Sequence, residues 1–332
     1  MGLPSTGTAM WSGIKIVPPC GRGGRGNISS PGHKTIPGYA MTRLISHVET
    51  TAPPEPGFIG EGHTAVEVLR PTAIAASDPF VLLMDDRLDI PVRRIIGGAH
   101  PHAGLETVTL ILEGSLFDRD EGRMDAGDVV WMTAGRGIIH NEAVETQGRT
   151  RILQLWIALP AADRALPPRF QIIPRDQAPV VRGPGAEARL YSGTSGRAAS
   201  ATANRVPVTM IDLKLEPNAS FRQDLPGSYN GFVYVLEGAV RVGGETIAAG
   251  QTGWFAPSEA TDLVLEAQAG GARLVLYAGV PIGEPLIQHG PFVADSAATI
   301  NDQFRRFRAG EFTRMSQLRP MEPAQAAPAA SR

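Results

Sequence analysis

Apolar positions in the middle of the chain fall into short runs closed by glycine, and the runs have the length of strands. Thr107-Val-Thr-Leu-Ile-Leu112 is closed by Glu113-Gly114, and the turn Asp125-Ala-Gly-Asp128 leads into Val129-Val-Trp-Met132. A second turn, Thr133-Ala-Gly-Arg-Gly137, leads into a strand starting at Ile138 and running to Glu142, and Arg151 to Leu159 reads as a longer strand. Short strands between glycine-bearing turns predict an all-β sandwich or barrel rather than βαβ units. One helix is expected near the end of the chain, with Ile300, Phe304 and Phe307 on one face and Gly310 as its stop.

The strand pattern occurs twice. Leu112-Glu-Gly114 recurs as Leu236-Glu-Gly238, Gly127 and Trp131 recur as Gly250 and Trp254, and Arg151 to Pro160 recurs as Arg273 to Pro281. The offset is about 123 residues throughout, which predicts two copies of one β-domain. The expected division is a first domain over 41–165 and a second over 166–315, the latter carrying the helix. Residues 1–40, rich in Gly, Pro and Ser with the tract Gly21-Arg-Gly-Gly-Arg-Gly26, are expected to be a disordered extension upstream of a start at Met41. Residues 316–332 are expected to be a disordered tail.

Composition narrows the function classes. With 42% hydrophobic and 19% charged residues the chain is globular. A net charge of −2 gives no support for a phosphate-neutralising surface, so direct nucleic-acid binding is not expected. A lone cysteine, Cys20, excludes an intrachain disulfide framework. No apolar run approaches the length of a membrane span, and the N-terminus lacks the pattern of a secretory signal. The opening residues Met1 to Thr6 fit a myristoylation pattern, but nothing nearby supports attachment to a membrane. A soluble cytoplasmic protein is the expectation.

Chemistry concentrates in two clusters, His100-Pro101-His102 and His140-Asn141-Glu142. Each places two metal-capable side chains at i and i+2, which on a strand share a face. The chain has only seven histidines, and three of them lie here. Three neutral imidazoles and a carboxylate suit iron, nickel, copper or zinc and leave up to two positions open on a six-coordinate ion. Glu106 is the rival carboxylate. On a regular strand it shares parity with His100 and His102, but Gly104 intervenes; Glu142 ranks first, with Glu106 supporting the ligands from outside. The second copy has Asp224-Leu-Pro226 opposite His100-Pro-His102 and Asp262-Leu263 opposite His140, so only the first copy is expected to bind metal. His47 and His63 are expected to be exposed loop histidines, and His289 to have a structural hydrogen-bonding role. Trp131 and Trp156 are expected in the core, and Gly135-Arg136-Gly137 is expected to be a tight bend. No Ser-His-Asp arrangement is legible, which disfavours nucleophilic catalysis.

Six stretches carry a family resemblance: His100 to Thr109, Gly127 to Gly137, His140-Asn-Glu142, Leu153-Gln-Leu-Trp156, Pro167-Pro-Arg-Phe170 and Gln288-His-Gly-Pro-Phe292. Together, over about residues 60–315, they resemble the pirin family, a bicupin subgroup of the cupin superfamily. The resemblance implies two tandem cupin (double-stranded β-helix, jelly-roll) barrels face to face, with metal in the N-terminal one alone. It implies Fe2+, one per chain, with other divalent transition metals as substitutes, held by His100, His102, His140 and Glu142. By the same resemblance the activity is quercetin 2,3-dioxygenation of a flavonol. Glu142 takes the 3-hydroxyl proton, having loosened from the metal to do so, and the heterocycle opens with loss of carbon monoxide. The alternative it implies is a metal- or redox-responsive regulator that binds a transcription factor or a metabolic enzyme. Isomerase or lyase chemistry at the same metal stays open. Two departures stand out: the hairpin between Gly114 and Gly127, near the mouth of the site, is several residues shorter than is usual in the family, and residues 1–40 have no counterpart.

Overall fold

Alternation along one strand sets the layers of the molecule. In Leu105–Glu113, the side chains of Val108, Leu110 and Leu112 join an apolar cluster whose other half is Phe232, Tyr234, Val275 and Tyr277 of a second sheet. Leu105 and Ile111 join a different cluster, inside the first sheet's own barrel. Successive side chains of a strand point to opposite faces, so one face packs lobe against lobe and the other lines a barrel interior. The structure is a computed structural model describing residues 42–70 and 74–322. The extension expected over 1–40, with Cys20, and residues 323–332 of the expected tail lie outside the described residues.

The first nine-stranded sheet runs Arg169–Ile173, Val129–Thr133, Leu105–Glu113, Val144–Ala158, Phe80–Ile96, His63–Leu69, Glu55–Pro56, with the hairpin Ser115–Asp118/Gly122–Asp125 branching from it. The second runs Ile45–Thr50, Gln251–Phe255, Asn230–Val242, Asp262–Gly279, Val208–Leu215, Ala186–Ser192, Val180–Gly183. The orders correspond place by place, so the sequence repeat is a repeat of topology, and the fold is a pair of cupin-type β-sandwich lobes. Register shifts at Thr146/Gly148 and Trp156/Ile157 let the long strand Val144–Ala158 bend as it passes between layers.

Strands cross the division expected at 165/166. Arg169–Ile173 closes the edge of the first sheet against Val129–Thr133, and Ile45–Thr50 closes the edge of the second against Gln251–Phe255. Each lobe thus covers an edge of the other, which removes an unpaired strand border from each. The Asp85 carboxylate adds a polar tie: it accepts from Arg151 Nε (2.8 Å) within its own lobe and from the Tyr234 hydroxyl (2.9 Å) of the other.

The C-terminal segment also crosses over. The helix Ala297–Arg308 is capped by the Ser296 side chain, which accepts from Thr299 N–H, and Gly310 at φ 73° follows its end. Ile300, Phe304 and Phe307 pack with Phe292 and Phe312, as the apolar face predicts. The chain then returns to the first lobe, where Thr313–Arg314 pairs in parallel with Ile138–Asn141. The start of the expected tail is ordered there: Met315–Gln317 forms a 3-10 turn and Met321 N–H donates to the Phe170 carbonyl (2.8 Å).

The second lobe fills its histidine-free counterpart region with a guanidinium. Arg43, 1% exposed, donates to the carbonyls of Ala260 (3.1 Å), Tyr229 (2.9 Å), Pro226 (2.7 Å) and Gly227 (2.7 Å). Pro226 belongs to the stretch that the repeat aligns with the first histidine cluster, and Ala260 lies just before the one aligned with the second. Replacing Arg43 with Ala leaves several buried acceptors unmatched and is expected to lower unfolding free energy by on the order of 3 kcal/mol in urea titration. A loss below about 1 kcal/mol would show that the four contacts carry little net stability.

Candidate metal centre

The strands Ala99–His102 and Ile138–Asn141 pair antiparallel with His140 directly opposite His100 and Ile138 opposite His102. The i, i+2 spacing turns His100 and His102 to one face, and the register brings His140 onto it. The ring centroids of His100 and His102 are 4.9 Å apart, those of His100 and His140 4.3 Å, and those of His102 and His140 5.0 Å. The three histidines offer nitrogens that all lie within 4.8 Å of one another, a group able to hold a metal ion. Glu142, one residue past the observed end of its strand, extends an oxygen to 3.7 Å from His100 Nε2 and the other to 3.7 Å from His140 Nε2. Gln154 donates to that second oxygen at 2.9 Å and holds the carboxylate in place.

The donor atoms fit a divalent ion. His100 Nε2 and His140 Nε2 face each other at 2.9 Å. Two nitrogens bonded at right angles to one ion at 2.0–2.1 Å stand roughly 3 Å apart. His102 is 1% exposed, and neither of its ring nitrogens has a hydrogen-bond partner. An orphaned buried polar group of this kind costs about 1–3 kcal/mol unless something ligates it. Burial, followed by the neighbouring His100 and His140, holds the His102 pKa well below the usual imidazole range, against a small opposing pull from the Pro291 carbonyl. Burial likewise lowers His100, although Glu142 opposes it. For Glu142 burial alone would raise the pKa, but His140, His100 and the Gln154 hydrogen bond bring it below the usual carboxylate value. His100 and His102 kept neutral beside an ionised Glu142 are in the protonation state that metal binding requires.

A glycine separates this face from the strand that follows. Gly104 has φ 78°, and a Cβ there would lie 1.9 Å from the Val293 carbonyl oxygen. Past this kink the parity of Leu105–Glu113 starts afresh, and Glu106 falls on the lobe-facing side with Val108 and Leu110. Its carboxylate accepts from the Thr133 hydroxyl (2.6 Å) and the Arg205 N–H (3.3 Å), and burial raises its pKa against those bonds. The supporting role expected of Glu106 beside the ligands is therefore corrected: it anchors the loop of the second lobe that precedes Val208–Leu215.

His63 also departs from expectation. It is 3% exposed, opens the strand His63–Leu69, and its Nε2 meets Asp86 Oδ1 at 2.8 Å while Ile59 N–H donates to Nδ1 (3.3 Å). The ring fits because Gly57 has no side chain; a Cβ there would lie 2.0 Å from His63 Nδ1. The Pro/Gly-rich stretch before it shows no period, which hid this strand. His47 is exposed, but on the strand Ile45–Thr50, with its ring stacked on Trp254. His289 packs edge-on against Phe304 at 5.2 Å and makes no side-chain hydrogen bond among the described residues, contrary to the role expected for it. Trp131 is fully buried, and Trp156, 6% exposed, sets its edge against His102 at 5.0 Å.

A cavity of about 50 Å³ adjoins the centre through Glu142. Its apolar wall includes Leu88, Leu116, Met124 and Ile152, and Phe58, 58% exposed, stands at its edge near His100. Its polar wall was not foreseen: Asp86, Asp118 and Glu121 line it along with His63 and Gln154. Burial first, then Glu142 and Asp120, pushes Glu121 up to about 8; burial and Glu121 push Asp118 up to about 7. These acids sit in a strand and a hairpin turn where sequence alternation assigns them to solvent.

Comparison with known proteins matches both halves of the chain. The family model described as Pirin covers residues 66–157, and the Pirin C-terminal cupin domain covers 210–313. Pirin-1 of Arabidopsis thaliana is 35% identical over 68% of this chain and 80% of its own length. A pirin-like protein of Caulobacter vibrioides is 35% identical over 78% of this chain and 96% of its own. Among solved structures, a quercetin 2,3-dioxygenase from Acinetobacter baumannii aligns with TM-score 0.73 and 25% identity, covering 82% of this chain and 99% of that one.

The separation of Glu106 from the histidines has a direct consequence. Glu106→Gln is expected to keep the metal content of the purified protein within about 20% of wild type, measured by plasma mass spectrometry, because no ligand bond is touched. A metal-free Glu106→Gln protein with an intact fold contradicts this placement.

Proposed function

The chain belongs to the pirin family, and from that premise we propose that it is an iron-dependent flavonol 2,3-dioxygenase whose Fe2+ is held by His100, His102, His140 and Glu142. The observation that carries this is the convergence of three imidazoles, one of them buried without any hydrogen-bond partner, beside a carboxylate that opens onto a cavity. The quercetin 2,3-dioxygenase among the similar structures supports the choice of substrate. When bound, the iron supplies Lewis acidity at the substrate's 3-oxygen and one-electron chemistry toward dioxygen.

The chain's own groups do the rest. Glu142 lies between the imidazoles and the cavity, so it is placed to take the 3-hydroxyl proton of the flavonol. Gln154 restrains that carboxylate through its hydrogen bond to Oε1 (2.9 Å). Leu88, Leu116, Met124 and Ile152 give the cavity beside Glu142 an apolar wall suited to an aromatic ring. The net reaction consumes one flavonol and one dioxygen and yields one phenolic ester and one carbon monoxide. The cavity has room for water or dioxygen as it stands, whereas small-molecule pockets commonly measure ≈ 300–1,000 Å³. Binding of the flavonol therefore requires the pocket beside Glu142 to widen.

That small cavity favours a second reading, a metal- or redox-responsive regulator that binds a transcription factor or metabolic enzyme. In its support, the strand carrying His140 is paired directly with Thr313–Arg314, which follows the arginine-bearing helix. No helix among the described residues is long and apolar enough to cross a membrane, so neither reading invokes one.

Oxygen uptake and carbon monoxide release from quercetin separate the readings. Iron-loaded wild type is expected to turn over with equal amounts of both, and His102→Ala to lose activity by at least about 100-fold. Glu142→Gln is expected to lose iron as well. Iron-loaded wild type that consumes no oxygen with quercetin rejects the dioxygenase and leaves the regulator.

A further inference from the structure

The hairpin Ser115–Asp118/Gly122–Asp125 places a carboxylate behind one of the histidines. Its tip, Arg119-Asp120-Glu121, joins the strands Ser115–Asp118 and Gly122–Asp125. Asp118 Oδ1 accepts from the N–H groups of Asp120 (2.8 Å) and Glu121 (3.0 Å), which folds the turn. Asp120 Oδ2 accepts from Asn141 N–H (2.9 Å), which fastens the tip to the strand of His140. Glu121 is left with a side chain only 7% exposed and Oε1 at 3.8 Å from His140 Nδ1. On its other side the same ring turns Nε2 toward His100 and Glu142.

A neutral imidazole has one lone pair and one N–H. If Nε2 of His140 gives its lone pair to a metal, Nδ1 carries the proton and needs an acceptor. His100 solves the same problem with backbone: its Nδ1 lies 3.1 Å from the Gly98 carbonyl, with Nε2 facing inward. At 3.8 Å, Glu121 Oε1 is just outside hydrogen-bond distance of His140 Nδ1, and no other group among the described residues bonds that nitrogen. We propose that Glu121 is a positioning residue of the centre, accepting the Nδ1–H of His140 when the ion is bound and so fixing Nε2 as the ligating nitrogen. The inference rests on the reading of His140 as a ligand. With a divalent ion bound, its charge opposes the rise that burial and Glu142 give Glu121, and a carboxylate in this place makes the imidazole a stronger donor than a backbone carbonyl does. The turn itself, folded by Asp118 and pinned by Asp120, exists to hold that carboxylate against the ring.

Zinc(II) serves as a diamagnetic probe. Its affinity is measured by chelator competition for wild type, Glu121→Ala and Glu121→Gln, and the imidazole N–H signals of the zinc-loaded proteins are recorded by 15N–1H correlation spectra. Glu121→Ala is expected to weaken zinc binding about 10–100-fold and to lose the protected His140 Nδ1–H signal to exchange. Glu121→Gln, whose amide oxygen still accepts, is expected to recover most of the affinity and to keep the signal, shifted upfield by the weaker acceptor. Affinities within about threefold of wild type in both variants, with the signal unmoved, overturn the proposal. Where Glu121→Ala does not fold, Glu121→Gln decides: a shifted signal supports the role and an unmoved one overturns it. Wild type that takes up no zinc rejects the ligand set itself, a result distinct from any difference among the variants.

Discussion

Buried polar atoms that converge on one point need a cation, and both lobes of this molecule are built around that constraint. In the first, nitrogens of three histidines and a carboxylate meet, and neither ring nitrogen of the buried His102 makes a hydrogen bond. In the second, four backbone carbonyls meet around the guanidinium of Arg43. One lobe supplies its own cation from the chain; the other is left with donors matched to an exchangeable one. The repeat with this difference leaves the candidate metal centre in one lobe alone among the described residues.

The centre depends on contacts that come from far along the chain. The strands bearing the histidines form a small sheet whose third member, Thr313–Arg314, arrives after the C-terminal helix. Ala103 N–H reaches the Pro291 carbonyl, and the Val293 carbonyl fills the space left by the missing side chain of Gly104. Exchange of edge strands and the Asp85–Tyr234 hydrogen bond lock the lobes together, so the second lobe works as a brace for the first. Packing of this kind holds donor atoms to a few tenths of an ångström, which is what a ligand set demands.

Much of this was legible in the sequence. Glycine-bounded runs of strand length gave the all-β class, the repeat gave two lobes, and the i, i+2 spacing at His100 and His140 gave one face for the ligating nitrogens. The rest was hidden for identifiable reasons. Glu106 shares parity with His102 only if the strand is continuous, and the positive φ of Gly104 resets it. His63 looked like a loop residue because the space that buries it comes from Gly57 and its partner Asp86 lies on a neighbouring strand. Edge strands show alternation but carry no mark of which sheet they join, so the exchange across 165/166 had no local signal. The acids at Asp118 and Glu121 sit where turns normally face water, and only the close docking of the tip through Asp120 turns them inward.

The central claim is that one divalent ion sits among His100, His102, His140 and Glu142, and anomalous diffraction at the iron edge from crystals of the iron-loaded protein tests it most directly. A single peak per chain within about 2.0–2.3 Å of three imidazole nitrogens and a Glu142 oxygen is the expected result. A peak elsewhere in the chain, or none at that point in a protein shown to contain iron, contradicts it.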